Sequence, residues 1–208
     1  MSKLFLDFDE TLFNHQAMLE WMDVVWQDRY GVAAGLFADT INEYHNHVGD
    51  GHRLYKHREH FELSGKPWLE VSAEISKLIG DQNQDFCYPE VHKVIKKLTV
   101  EHKDLAILTF GDVEYQNYKI SHCRVLRALK LPVHVVMEPK RLFLEREFAA
   151  QTGVLVDDKH PLNLPNGWTH IWINRELSLK SPTELSDGVW QISSLSQLPQ
   201  LLSAKRLT

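Results

Sequence analysis

Apolar residues along the chain fall into two kinds of run. Leu4-Phe5-Leu6, Leu105-Ala106-Ile107-Leu108, Val133 to Met137, Gly153 to Val156 and Trp168 to Ile173 are short and continuous. Such runs belong to buried strands with both faces covered. A weaker one spans Val189 to Ile192. The second kind recurs at mixed three- and four-residue spacing: Ala17, Leu19, Trp21, Met22, Val24, Val25 and Trp26, ending at Tyr30-Gly31 with Gly31 placed as a C-cap. Further helices are predicted over Ala34 to Val48, Arg53 to Leu63 and Trp68 to Ile79, each closed by a Gly-containing breaker. Pro89 opens another to about His102, and Asp112 is placed as the N-cap of one running to Leu129. Helices from Glu138 to Gln151 and Leu195 to Leu202 complete the pattern.

Strands alternating with helices predict a parallel sheet with right-handed crossovers and helices on both faces. No strand-like alternation occurs between Asn14 and Gln84. The reading is an α/β core, 1–13 and 89–208, with an all-helical cap, 14–88, inserted after the first strand.

Composition narrows the class of protein. The 208 residues suffice for a sizeable core, and 43% hydrophobic with 25% charged residues is ordinary for a globular protein. Lys plus Arg at 23 against Asp plus Glu at 28 leaves a net charge of −5, which argues against nucleic acid as a partner. No apolar run is long enough to span a bilayer and no signal-like start is seen. Cys87 and Cys123 are too few for a disulfide framework, so two free thiols and a cytoplasmic protein are expected, one bridge between them being the alternative. The sequence does not set the oligomeric state.

The chemistry gathers at strand ends. Asp7 and Asp9 close the first strand, Thr109 the second and Asp157-Asp158 the fourth, while Lys140 follows the third and opens a helix. A buried strand does not carry carboxylates for packing, because desolvated charge is costly without a partner. Beyond the carboxyl ends of strands is also where open α/β sheets place their ligands. The plainer readings are a helix-capping turn at Asp9 or Thr11, a turn cap at Thr109, and a capped turn at Asp157-Asp158 ahead of Pro161. Arg141 is the alternative cation to Lys140.

Asp7-Phe8-Asp9-Glu10-Thr11 resembles motif I, DxDx[TV], of the haloacid dehalogenase-like (HAD) hydrolases. Thr109, Lys140 and Asp157-Asp158 match that family's later motifs in order and strand-end placement. The resemblance implies a Rossmann-like core, a C1-type helical cap and Mg²⁺ as cofactor. It implies Asp7 as nucleophile, giving an aspartyl-phosphate, and Asp9 as general acid and base whose backbone carbonyl also binds the metal. Thr109 would bind a phosphoryl oxygen and Lys140 would offset charge. Asp158 would ligate Mg²⁺ directly, with Asp157 acting through water or a hydrogen bond. An Asp at position 9 goes with phosphatases and phosphomutases of the family, not with dehalogenases. The implied activity is phosphomonoester hydrolysis on a small phosphorylated metabolite. A phosphotransferase or mutase, a non-catalytic phosphate-binding domain, or a phosphatase acting on a protein or polynucleotide are the rivals.

Two features of the insert have plain readings. His45, His47, His52, His57 and His60 lack Cys partners or a strong ligand spacing and read as a polar helix face. Trp21, Trp26, Phe61 and Trp68 read as cap core, and Glu10 as facing solvent or the cap. Arg53, Lys56 or Arg58 reaching a remote anionic end of the substrate is the milder alternative.

Overall fold

The computed structural model describes residues 2–31, 35, 56–63 and 68–205. Seven strands form one sheet: β1 (Lys3–Leu6), β2 (Leu105–Phe110), β3 (Val133–Val136), β4 (Gly153–Asp157), β5 (Trp168–Ile173), β6 (Thr183–Ser186) and β7 (Val189–Ile192). Their order is β3-β2-β1-β4-β5-β7-β6, parallel throughout except for β6 against β7. The α/β fold class with a Rossmann-like sheet is thus found as expected. β1 lies at the centre between β2 and β4, with Leu6 opposite Ile107 on one side and Val156 on the other. That register brings the ends of β1, β2 and β4 to one edge, and with them the acidic residues.

Alternation along the strands sorts the core onto two faces. Leu4 and Leu6 of β1 join Ile107, Val154, Val156, Ile171 and Ile173 in the larger cluster, while Phe5 joins Ala106, Leu108, Leu155 and Trp168 in the smaller. Helix α1 (His15–Tyr30) and α3 (Trp68–Asp81) feed the larger cluster through Met18, Met22, Trp26, Val71, Ile75 and Ile79. So do α4 (Val91–Glu101) and the C-terminal α8 (Leu198–Lys205). α7 (Lys140–Glu147) covers the smaller cluster with Phe143 and Leu144. Gly153 is required where β4 passes the Trp168 ring, since a Cβ there would lie 2.5 Å from it.

The helix expected from Asp112 to Leu129 is two helices, α5 (Val113–His122) and α6 (Arg124–Leu129). Cys123 breaks it in an extended conformation, and its buried side chain is joined to Cys87 in a disulfide. The two free thiols expected from the sequence are therefore corrected to one bridge, and the ground they gave for a cytoplasmic protein goes with them. No helix among the described residues is long and apolar enough to cross a membrane. β6 was not anticipated, because all of its residues are exposed and it pairs only at the sheet edge. Of the insert, α1, α2 (His57–Leu63) and α3 are helical as expected; the predicted helix over Ala34 to Val48 lies outside the described residues, as do His45, His47, His52 and Arg53.

Candidate functional site

β1 delivers Asp7 to the sheet edge with its backbone N–H donated to Val156 O at 2.8 Å. The chain then turns tightly over Phe8 to Phe13, with Glu10 at a positive φ of 54°. α7 begins at Lys140, so the Lys140 side chain reaches back over the strand ends. Its Nζ lies 2.6 Å from Asp7 Oδ1 and 2.5 Å from Asp157 Oδ2, while Arg141 pairs with Glu145 instead. Of the two cations left open by the sequence, Lys140 is the one in contact with the carboxylates. Burial lowers the Lys140 ammonium's pKa, but Asp7 and Asp157 outweigh burial and hold it raised. Burial pushes the Asp7 carboxyl well above the ordinary carboxylate range, and the negative Asp157 and Asp158 add to this against the pull of Lys140.

Asp7, Asp157 and Asp158 bring carboxylate oxygens within 4.8 Å of one another. Hard oxygen donors in such a group suit a divalent cation such as Mg²⁺. Asp157 has both oxygens engaged, one by Lys140 and the other by the Lys159 N–H at 2.8 Å. Asp158 is held by Trp172 Nε1 on its backbone carbonyl, and among the described residues its carboxylate pairs only with the exposed Lys159 ammonium, at 2.9 Å. Asp158 is thus the freer of the pair for direct coordination. Thr109, one residue before the end of β2, is almost fully buried, and its hydroxyl has no hydrogen-bond partner among the described residues. It is an orphan donor beside the carboxylates. A cavity of about 680 Å³ opens here, lined by Asp7, Asp9, Thr109, Lys140, Asp157 and Asp158 together with Phe110, Pro139, Leu162 and Leu164. Every residue singled out from the sequence for this site lines that one cavity.

Asp9 has partners that sequence reasoning missed. Lys119 Nζ lies 2.5 and 2.7 Å from its two carboxylate oxygens, and Gln116 Nε2 donates to Oδ2 at 2.8 Å. Burial pushes the Asp9 carboxyl up, but the Lys119 ammonium, then His15 and the hydrogen bonds, hold it below the ordinary range. Arg175 was missed too. It follows β5, donates to the carbonyls of Glu10 and Thr11 at 2.9 and 2.5 Å, and pairs with Glu90 at 2.8 Å. Its guanidinium lies 3.4 Å over the Tyr88 ring. Glu10 itself faces the insert, accepting from the N–H groups of His15 and Gln16 at the start of α1 and from Tyr88 Oη at 2.6 Å. The one available signal was α5, where Gln116 and Lys119 share the buried face with Tyr115. Asp112 caps that helix through the Tyr115 N–H as predicted.

Of the histidines and cations singled out in the insert, Lys56, His57, Arg58 and His60 do not line the cavity, whereas His15, at the start of α1, does. His57 stacks on Tyr115 at 4.7 Å, Arg58 pairs with Glu114 and Lys56 with Glu59. Besides the acidic trio, the other group of metal-ligating type among the described residues is Asp85 with the bridged Cys87 and Cys123, where Asp85 is already paired with His92 and Arg124.

The fold is similar to that of several solved structures described as HAD-like hydrolases. A protein from Burkholderia xenovorans described as a haloacid dehalogenase-like hydrolase superposes with a TM-score of 0.65 at 18% identity, covering 100% of this chain and 99% of that one. The HAD-hydrolase YfnB from Bacillus subtilis, solved bound to magnesium, gives 0.54 at 15% identity over 97% of this chain and 98% of that one. A haloacid dehalogenase-like family hydrolase from Xanthomonas campestris gives 0.57 at 12% over 98% and 91%. At these identities the likeness concerns the fold. No protein-family model and no curated protein matches the chain.

Proposed function

We propose that the protein is a Mg²⁺-dependent phosphomonoester hydrolase acting on a small phosphorylated metabolite through an aspartyl-phosphate on Asp7. The observation that carries this reading is the Lys140 ammonium held between Asp7 and Asp157 at the strand ends, with Asp158 adjacent and Asp9 on the same cavity wall. Asp7 and Asp158, with the Asp9 carbonyl, would hold the metal, and Asp157 would steady Lys140 behind them. Bound there, Mg²⁺ supplies positive charge that offsets the phosphate's own and lets an anionic nucleophile approach. Asp7 attacks phosphorus, and Lys140 offsets the charge gathering on the transferring group. Thr109 donates its unused hydroxyl to a phosphoryl oxygen. Asp9 passes a proton to the departing oxygen, then takes one from the water that cleaves the Asp7 phosphate.

Asp9 favours this over halide displacement, because a departing halide needs no proton and would leave that carboxyl without its acid role in the first step. The test is a panel of phosphorylated metabolites, scored for phosphate release with Mg²⁺ and with EDTA. Release from at least one member, abolished by EDTA and restored by Mg²⁺, supports the reading. Full activity in verified metal-free protein contradicts it. Phosphoryl transfer to a second substrate without free phosphate moves the assignment to a phosphotransferase.

A further inference from the structure

Lys119 is 1% exposed, yet it carries an ammonium. Packing does not call for one there: a Met or Leu fills such a helix position without the desolvation cost. Nor does Lys119 line the cavity, so it cannot touch a ligand there. Its Nζ instead lies behind Asp9, bonded to both carboxylate oxygens and 4.6 Å from the centre of the Tyr115 ring, with the Phe8 and Phe13 rings at 5.8 and 6.0 Å. Rings on several sides leave the ammonium one place to sit. Gln116 completes the grip, its amide donating to Asp9 and to the Phe110 carbonyl at 2.8 and 2.9 Å. Gly111 makes room for that amide, since a Cβ there would stand 2.6 Å from Gln116 Nε2. Lys119 and Gln116 are the only donors to the Asp9 carboxylate among the described residues.

We propose that Lys119, assisted by Gln116, is a positioning residue that fixes the Asp9 carboxylate against the leaving oxygen and, in the second half-reaction, against the attacking water. This rests on Asp9 exchanging protons as described above. A carboxylate on a short side chain has rotamer freedom of its own. Proton transfer needs it within hydrogen-bond reach of the reacting oxygen, and misplacement by about 1 Å costs on the order of 10²-fold.

The test uses the full chain with Mg²⁺ and two substrates, 4-nitrophenyl phosphate and 2-phenylethyl phosphate, by rapid mixing. Nitrophenolate departs without an acid, whereas the alkoxide needs one. Lys119→Met should keep a burst of nitrophenol close to one per enzyme and slow the steady rate that follows by ~10²-fold. It should slow release of phenylethanol from its first turnover by a similar factor, with KM for that substrate within about twofold of the wild type. KM for 4-nitrophenyl phosphate should fall together with its steady rate, leaving kcat/KM for that substrate unchanged. In an Asp9→Asn background the same change should add nothing to the nitrophenol burst rate, since the group it positions is gone. A merely structural role slows both substrates and both phases alike, and adds its loss on top of Asp9→Asn; either result overturns the proposal. Should Lys119→Met fail to fold, Gln116→Leu is expected to show the same leaving-group selectivity with a smaller loss, and uniform slowing there overturns it equally. A wild type that releases phosphate from neither these substrates nor the metabolite panel removes the underlying reading. A working wild type with uniformly slow variants removes only the role of Lys119.

Discussion

Lys140→Met removes the one cation that separates two buried carboxylates, so its effect can be worked out in advance. The Lys140, Asp7 and Asp157 side chains are 10%, 8% and 1% exposed, so water screens the pair little. Removing one partner of such a buried pair costs about 3–5 kcal/mol, because the remaining charges stay buried. In a chain of 208 residues each kcal/mol moves the melting temperature by about 2–4 °C, which places the metal-free variant roughly 6–20 °C below the wild type. Asp7 offers an escape. Burial already pushes its carboxyl up, and loss of Lys140 pushes it further, so the variant takes up a proton as pH falls and its deficit shrinks. Lys140 has a raised pKa despite burial, because of Asp7 and Asp157, so its own contribution is complete at neutral pH and disappears only as pH rises through that raised value. Mg²⁺ bound at these carboxylates, as proposed, would replace the missing charge, so it should raise the variant's melting temperature more than the wild type's. The assay is thermal unfolding followed by circular dichroism at mildly alkaline and mildly acidic pH, with EDTA or MgCl₂. A variant that melts with the wild type in EDTA at alkaline pH, or gains no more than the wild type from Mg²⁺, refutes the charge argument.

Arg175→Met should lower stability by about 2–3 kcal/mol, since three charge-assisted hydrogen bonds to Glu10, Thr11 and Glu90 are lost, and should reduce kcat through a loosened Asp9 loop. Unchanged melting and kcat would show that the loop holds itself. Asp9→Asn should melt below the wild type because it leaves the Lys119 ammonium buried beside a neutral amide, and adding Lys119→Met should recover part of the loss; a double variant less stable than Asp9→Asn contradicts this. For Asp85, burial pushes the carboxyl up, but the Cys87 N–H, Arg124 and His92 bring it below its ordinary 3.8. Its contribution is therefore present above that value and lost as pH falls through the lowered one. Asp85→Asn should flatten the melting-temperature profile in that acidic window, and a profile parallel to the wild type's would exclude Asp85 as a source of acid sensitivity.

What could be read from the sequence follows the reach of each interaction. β1, β2, β4 and β5 were legible because a strand covered on both faces needs a continuous apolar run, whatever its neighbours are. β6 has no such run: Thr183–Ser186 is exposed and pairs with β7 at the edge of the sheet. The acidic trio was legible because carboxylates at strand ends stand out locally, and Lys140 because it follows a strand. Arg141 remained open until the start of α7 gave the phase of that helix. Lys119 and Arg175 act across 110 and 165 residues, on Asp9 and the Glu10 carbonyl, and only the assembled sheet brings them together. The break at Cys123 was hidden for the same reason, since its partner Cys87 lies 36 residues away.

The nucleophilic role of Asp7 is tested most directly by a single turnover of 4-nitrophenyl phosphate in H₂¹⁸O with Mg²⁺ and enzyme in excess, followed by mass spectrometry of the phosphate and of the peptide carrying Asp7. Water that cleaves an aspartyl-phosphate at phosphorus puts ¹⁸O into the released phosphate and leaves Asp7 unlabelled, and an early quench should catch that peptide one phosphoryl group heavier. Asp7→Asn should yield neither product. Labelled phosphate formed with no phosphorylated Asp7 peptide at any quench time, or phosphate released by Asp7→Asn at the wild-type rate, would contradict the nucleophilic role, whereas an ¹⁸O label in Asp7 would keep that role and move the attack of water to the carboxyl carbon.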